Sequence, residues 1–239
     1  MGDVSGEFRF ELRVCRWVEE HWPPGGERRG DVVVARQLGT RHRRWDTVVF
    51  ECDPDALRQR AQFGSRALDS DLLGVVRHAP AEWTYYRDAL PEPDYPWRYV
   101  REAVNRAADR GILDRRKSGN RIQIRRRWTY PDWVRRIVAI ENKPDLDASA
   151  ARDLRPQLEH DVAMALADEV WVATRATGDR VEPALLEDLP VEAGILVVDD
   201  DPQEGPAVLG ADATVSWHPR TLSVGDPGTR ILDRPTGSE

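Results

Sequence analysis

The chain has 239 residues, 40% of them hydrophobic and 32% charged, with a net charge of −7. That balance belongs to a folded globular protein and excludes a disordered chain. Its apolar runs are too short to cross a bilayer, and the first residues carry no signal-peptide pattern, so the cytoplasm is the expected location. Two cysteines, Cys15 and Cys52, exclude a disulfide framework, and five scattered histidines offer no zinc spacing.

In chain order, Phe8 to Trp22 has apolar residues near the 3.6 period of an amphipathic helix, ended by Pro23-Pro24-Gly25-Gly26. Asp31–Arg36 and Arg44–Cys52 read as strands joined by the polar link Gly39-Thr40-Arg41-His42. Asp53 is the expected N-cap of the next helix, with Pro54 at its first position.

Residues 54–130 read as a different, inserted unit. Helices are expected over Ser70–His78 and Ala81–Leu90, then a longer one from Trp97 to Arg110 that stops at Gly111. Two short strands around Lys117-Ser118-Gly119-Asn120 form a hairpin. Helix, Gly-Ile-Leu and basic hairpin resemble the last helix and wing of a winged helix-turn-helix domain. From Trp97 to Arg136 thirteen basic residues face only four acids, inside an acidic protein. That is the footprint expected for a polyanionic partner. Arg98, Arg101, Arg115, Arg116, Lys117, Arg121, Arg125, Arg126 and Arg127 are the expected nucleic-acid contacts, with Trp97, Tyr99 and Trp128 available for stacking. DNA is the expected partner and RNA an alternative; a membrane is not, and a homodimer is left open. The acidic remainder and the near-absence of lysine point to a halophilic source.

The first pattern resumes at Trp133. Arg136–Lys143 is apolar on both faces, the mark of a central strand, and Pro144 stops it. A helix from Ala148 to Ala167 follows, with its stripe on Leu154, Leu158, Val162 and Ala165/Leu166. Glu169–Thr174 and Gly194–Asp199 are further strands, Pro183–Asp188 a short helix, and Ala213–Trp217 a last strand. Of 35 basic residues only Lys117 and Lys143 are lysines. Lysine differs from arginine as a compact charge on a flexible stem. Glu141 and Lys143, two apart on a strand, point to one side.

With the insert removed, the order helix–strand–strand–strand–helix–strand resembles the restriction-endonuclease-like core of the PD-(D/E)XK nucleases. The predicted fold is α/β, a core of residues 1–53 and 131–239 carrying the insert 54–130. Glu141-Asn142-Lys143 supplies the (D/E)XK tripeptide, Gln157 stands where RecB-like members place a glutamine, and Glu11 matches the acid of the first helix. The chain also resembles an uncharacterised family of halophilic archaea. What the nuclease resemblance implies is a Mg²⁺- or Mn²⁺-dependent endonuclease acting on DNA. Asp46, Glu141 and the carbonyl of Asn142 would hold the ion, and Lys143 would act on the attacking water. Asp132 competes with Asp46, because Pro131-Asp132 spells the family's literal "PD". Along one strand Asp132 and Glu141 would stand roughly 30 Å apart at about 3.3 Å per residue. Asp132 therefore needs a turn at Arg135-Arg136, and Asp46, on a neighbouring strand, needs none. The alternative function is a nucleic-acid-binding protein on a nuclease-like scaffold without activity.

Overall fold

A computed structural model describes residues 4–24, 30–39, 43–175, 188–198, 213–217 and 219. From the N terminus the elements are α1 (Val4–His21), β1 (Asp31–Gly39), β2 (Arg44–Cys52), α2 (Pro54–Arg60), α3 (Ser70–His78), β3 (Thr84–Tyr85), α4 (Tyr86–Ala89), α5 (Trp97–Asp109), β4 (Leu113–Ser118), β5 (Arg121–Arg126), β6 (Val134–Asn142), α6 (Ala148–Met164), β7 (Glu169–Arg175), β8 (Gly194–Val198) and β9 (Ala213–Trp217). The chain divides into two compact units, one of residues 1–52 and 134–227, the other of 53–133 and 228–239. Among the described residues no helix is long and apolar enough to cross a membrane.

The first unit is mixed α/β. Its sheet runs β1-β2-β6-β7-β8-β9, with β6, β7 and β8 parallel and the remaining pairs antiparallel. The period of two in the central strands sorts their apolar residues onto two faces. Val138, Ile140, Trp171, Ala173, Leu196 and Val198 meet Phe10, Val14, Trp17 and Val18 of α1 and Trp22 just beyond it. Val170, Val172 and Ile195 meet Ala151, Leu154 and Leu158 of α6. Both faces are covered, which is why β6 and β7 read as continuous apolar runs. Gly194 is dictated by its neighbours: a Cβ there would lie 2.5 Å from a Trp171 ring carbon and 2.9 Å from Pro219 Cδ.

In the second unit Asp53 caps α2, its carboxylate accepting from the N–H groups of Asp55 and Ala56 at 2.9 Å each. Leu72, Leu73, Val75 and Val76 of α3 pack with Val100, Ala103, Val104 and Ala107 of α5, and Leu113 and Ile124 close that core from the sheet. Gly111 ends α5 in a left-handed turn (φ 70°), and the Ile112 N–H returns to the Ala107 carbonyl at 3.1 Å. The sheet order is β3-β5-β4, all antiparallel.

Three expectations are corrected. Ala81–Leu90 is not one helix: Thr84 and Tyr85 pair with Ile124 and Gln123 as a strand, leaving a single turn, α4. Aromatic spacing alone could not reveal a partner forty residues away. The helix expected to reach Ala167 stops at Met164, because Ala165 takes a left-handed conformation (φ 45°). Trp97 and Trp128 are packing residues, set edge-on to Tyr86 and Phe63 at 5.6 and 6.0 Å between ring centres. Residues 183–187 of the expected Pro183–Asp188 helix, residue 199 of the expected last-but-one strand and the link residues 40–42 lie outside the described residues.

Candidate active site

The site is built at the C-terminal end of β6. The ladder between β2 and β6 reaches Thr47 opposite Ile140, so Asp46 and Glu141 are the next residues along each strand. Directly opposite residues share a face, so the two carboxylates are neighbours. Asp46 is held twice: the Asn142 N–H donates to its Oδ2 at 2.9 Å and Gln37 Nε2 to its Oδ1 at 3.1 Å. Gln37 lies on β1 in a left-handed conformation (φ 51°) that L residues with a Cβ rarely take. That geometry lets one amide reach Asp46 and also Glu11 Oε1, at 3.4 Å. Backbone strain of this kind clusters at functional sites.

Glu141 is 4% exposed and both of its oxygens are engaged. Gln157 Nε2 of α6 donates to Oε2 at 3.0 Å, and Arg43 Nη2 donates to Oε1 at 2.6 Å. The same guanidinium grips Asp161 of α6, with Nη2 to Oδ2 at 2.6 Å and Nε to Oδ1 at 2.9 Å. Trp45 Nε1 completes the Asp161 shell at 3.0 Å. Asp161 is 1% exposed, so Arg43 is the cation that balances two buried carboxylates. Burial, and then the negative charge of Asp46, push the Glu141 carboxyl up to about 7, while Arg43 pulls it back.

Lys143 follows β6, and its N–H donates to the Ala173 carbonyl at 2.8 Å, which carries the ladder one residue further. Strand parity puts its side chain on the side of Glu141. The lysine is half-buried, and its ammonium makes no ion pair among the described residues. Asn142 points the other way, donating through Nδ2 to Thr47 Oγ1 at 3.1 Å, and its Oδ1 is buried with no partner among the described residues.

Of the residues singled out in the sequence, Asp46, Glu141, Asn142, Lys143 and Gln157 are thus brought to one place. Glu11 stands a step away: Arg36 holds it through Nε at 3.0 Å and Nη2 at 2.9 Å, and Gln37 links it to Asp46. Asp132 is not joined to them. It is exposed and precedes β6, which runs extended through Arg135 and Arg136 without the turn that residue would need. Arg43, Gln37 and Asp161 were missed. Only Asp161 left a signal, an acid three residues beyond Leu158 on the apolar stripe of α6.

The donor set suits a hard divalent cation: two neighbouring carboxylates and a strand-end carbonyl. Mg²⁺ is commonly held by one or two carboxylates plus water and phosphate oxygens. Among the described residues no group of three His, Cys, Asp or Glu side chains is placed to hold a metal, which leaves no fully protein-made cage.

In the second unit the basic residues stay at the surface. Arg98 and Arg101 are exposed on α5; Arg115, Arg116 and Lys117 on β4; Arg121 and Arg126 on β5; Arg127 just beyond it, while Arg125 is half-buried. Asp114 accepts from Arg125 Nη2 at 2.8 Å and Arg127 Nε at 2.6 Å, which holds its carboxyl below the usual range. The two cysteines are buried free thiols in the first unit.

No curated protein and no solved structure matches the chain. The model of a family of unknown function, DUF5787, matches residues 33–239, most of the chain, and the protein belongs to that family.

Proposed function

We propose that the chain is a Mg²⁺- or Mn²⁺-dependent deoxyribonuclease of the PD-(D/E)XK type, with a winged-helix-like unit that grips the nucleic-acid backbone. The observation that carries it is the convergence of Asp46, Glu141 and Gln157 at the end of β6, one residue from Asn142 and two from Lys143. The order α1-β1-β2-β6-α6-β7 supports a restriction-endonuclease-like core. The second unit's order α3-β3-α4-α5-β4-β5, with β3 returning to pair with β5, supports the winged-helix reading.

Asp46 and Glu141, with the Asn142 carbonyl, would hold the ion. Once bound it supplies Lewis-acid polarisation of a phosphate oxygen and a more acidic water. The chain's own residues do the rest. Gln37 and the Asn142 N–H fix both oxygens of Asp46, and Gln157 fixes one of Glu141, so the carboxylates are pre-aimed rather than gathered on binding. The Lys143 ammonium orients the attacking water and stabilises charge developing on the phosphoryl oxygens. Water oxygen adds to phosphorus as the water gives up a proton to solvent, one P–O ester bond breaks, and the leaving alkoxide takes up a proton from solvent.

One contact favours a second reading, in which the protein binds nucleic acid without cutting it. The Arg43 guanidinium already sits 2.6 Å from Glu141, giving that carboxylate a built-in cation. Calorimetric titration of Mn²⁺ into wild type, Asp46→Asn and Glu141→Gln decides between them. The nuclease reading expects one ion bound by wild type and at least tenfold weaker binding by either variant, as for loss of a direct ligand. Wild type that binds no ion supports the second reading.

A further inference from the structure

We propose that the outer face of the β3-β5-β4 sheet is a stacking platform for single-stranded nucleic acid. Register determines what this face displays. Ile124 and Leu113 are fully buried and mark the face turned to the α3–α5 core. The alternate positions of the three strands therefore turn outward. On β5 they are Arg121, Gln123 and Arg125; on β4, Asp114, Arg116 and Ser118; on β3, Tyr85, which pairs with Gln123. Trp83, one step before β3 and of the same parity, completes the set.

The side chains agree with the register. Arg116 and Arg125 lay their guanidinium carbons 4.4 and 4.9 Å from the Trp83 ring centre, and Arg121 lies 5.1 Å from that of Tyr85. Trp83 is half-buried yet takes no part in the unit's apolar core, whereas the Tyr85 ring packs in part against it. A large aromatic left outside the core and flanked by arginines is available to a ligand that brings both a flat ring and negative charge. A guanidinium stacked on a ring keeps its N–H groups in its own plane, directed sideways at phosphate height. Gln123 Oε1 positions Arg116 through Nε at 2.8 Å, and Asp114 positions Arg125 at 2.8 Å. Beside this face lies an open cavity of about 570 Å³, to which Trp83, Arg115, Arg116, Arg125 and Arg127 contribute, with Asp109 and Asp114 its acids.

Charge alone would serve a duplex, whose backbone presents phosphates in any sequence. Aromatic rings on an open sheet face would be wasted on it, because paired bases already cover each other's π faces. Unpaired bases stack on such rings and on guanidinium planes. The occupant is therefore an unpaired strand, its bases on Trp83 and the stacked arginines and its phosphates on Arg116, Arg121 and Arg125. Binding of this kind needs nothing from Asp46, Glu141 or Lys143, so it stands or falls apart from cleavage.

The test is fluorescence anisotropy of the full chain with a labelled oligothymidylate in EDTA, beside a mixed-sequence duplex and polyglutamate. Trp83→Ala is expected to weaken single-strand binding about tenfold while duplex binding holds, and Trp83→Phe, which keeps a ring, should lose little. Arg121→Gln should reduce the salt slope for the single strand by about 0.7. If Trp83→Ala disturbs the hairpin, seen by circular dichroism, Trp83→Phe and Arg116→Gln carry the test. Single-strand affinity unchanged in both Trp83→Ala and Arg116→Gln would overturn the proposal. So would equal losses for oligothymidylate, duplex and polyglutamate.

Discussion

The end of β6 and the outer face of the β3-β5-β4 sheet use charge in opposite ways. At the first, Glu141 and Asp161 are almost wholly buried and share one guanidinium. At the second, arginines stand at the surface around a single carboxylate, Asp114, with side chains roughly half exposed. Burial makes each charge costly and therefore able to polarise, titrate and react. Exposure makes each charge cheap, and useful mainly for attracting and orienting a polyanion.

The largest break in this comparison should come from Arg43. Arg43→Met leaves Asp161 buried without its cation, so chemical denaturation should show a loss of about 3–5 kcal/mol. Stability unchanged within error would mean that the ion pair is not formed in solution. Leu158→Ala, in the α6 layer that presents Gln157 and Asp161, should cost about 2–5 kcal/mol by opening a cavity.

A smaller effect is expected from titration of Glu141. Its carboxyl moves from 4.5 up to about 7 on folding, so between those values the folded chain keeps a proton that the unfolded chain has lost. Stability therefore falls as pH rises through that window, by up to about 3 kcal/mol for a shift of that size. Glu141→Gln, measured in EDTA, should flatten the fall; an unchanged pH profile would show that another group is responsible. The smallest effect belongs to the other unit. Asp114→Asn removes the partner of Arg125 and Arg127, yet the exposed pairs should contribute less than about 1 kcal/mol. A loss as large as that of Arg43→Met would erase the distinction between the two regions.

How much of this was legible in the sequence depended on the range of the contacts. Glu141 and Lys143 stand two apart at the end of one extended run, so parity alone predicts their common side. Asp46 could be preferred to Asp132 by strand length, and the extended path through Arg135 and Arg136 leaves Asp132 apart. The end of α5 at Gly111 was written in local chemistry, a residue free to take φ 70°. Arg43 was hidden because its meaning lies 98 and 118 residues away, in Glu141 and Asp161. Gln37 was hidden because its role depends on a left-handed backbone that no neighbouring residue announces. Strand β3 was mistaken for helix because two residues have too little periodicity to declare themselves.

The central claim is that a lysine kept in an arginine-rich chain serves a phosphodiester cut. It is tested most directly by incubating labelled single-stranded, duplex and branched DNA with wild type and Lys143→Ala in Mg²⁺ or Mn²⁺, with EDTA as control. Wild type is expected to cleave in an ion-dependent manner and Lys143→Ala at least a hundredfold more slowly, as for loss of a transition-state charge donor, with DNA affinity retained. Wild type that cleaves none of these DNAs in either ion, or Lys143→Ala that cleaves as fast as wild type, would contradict it.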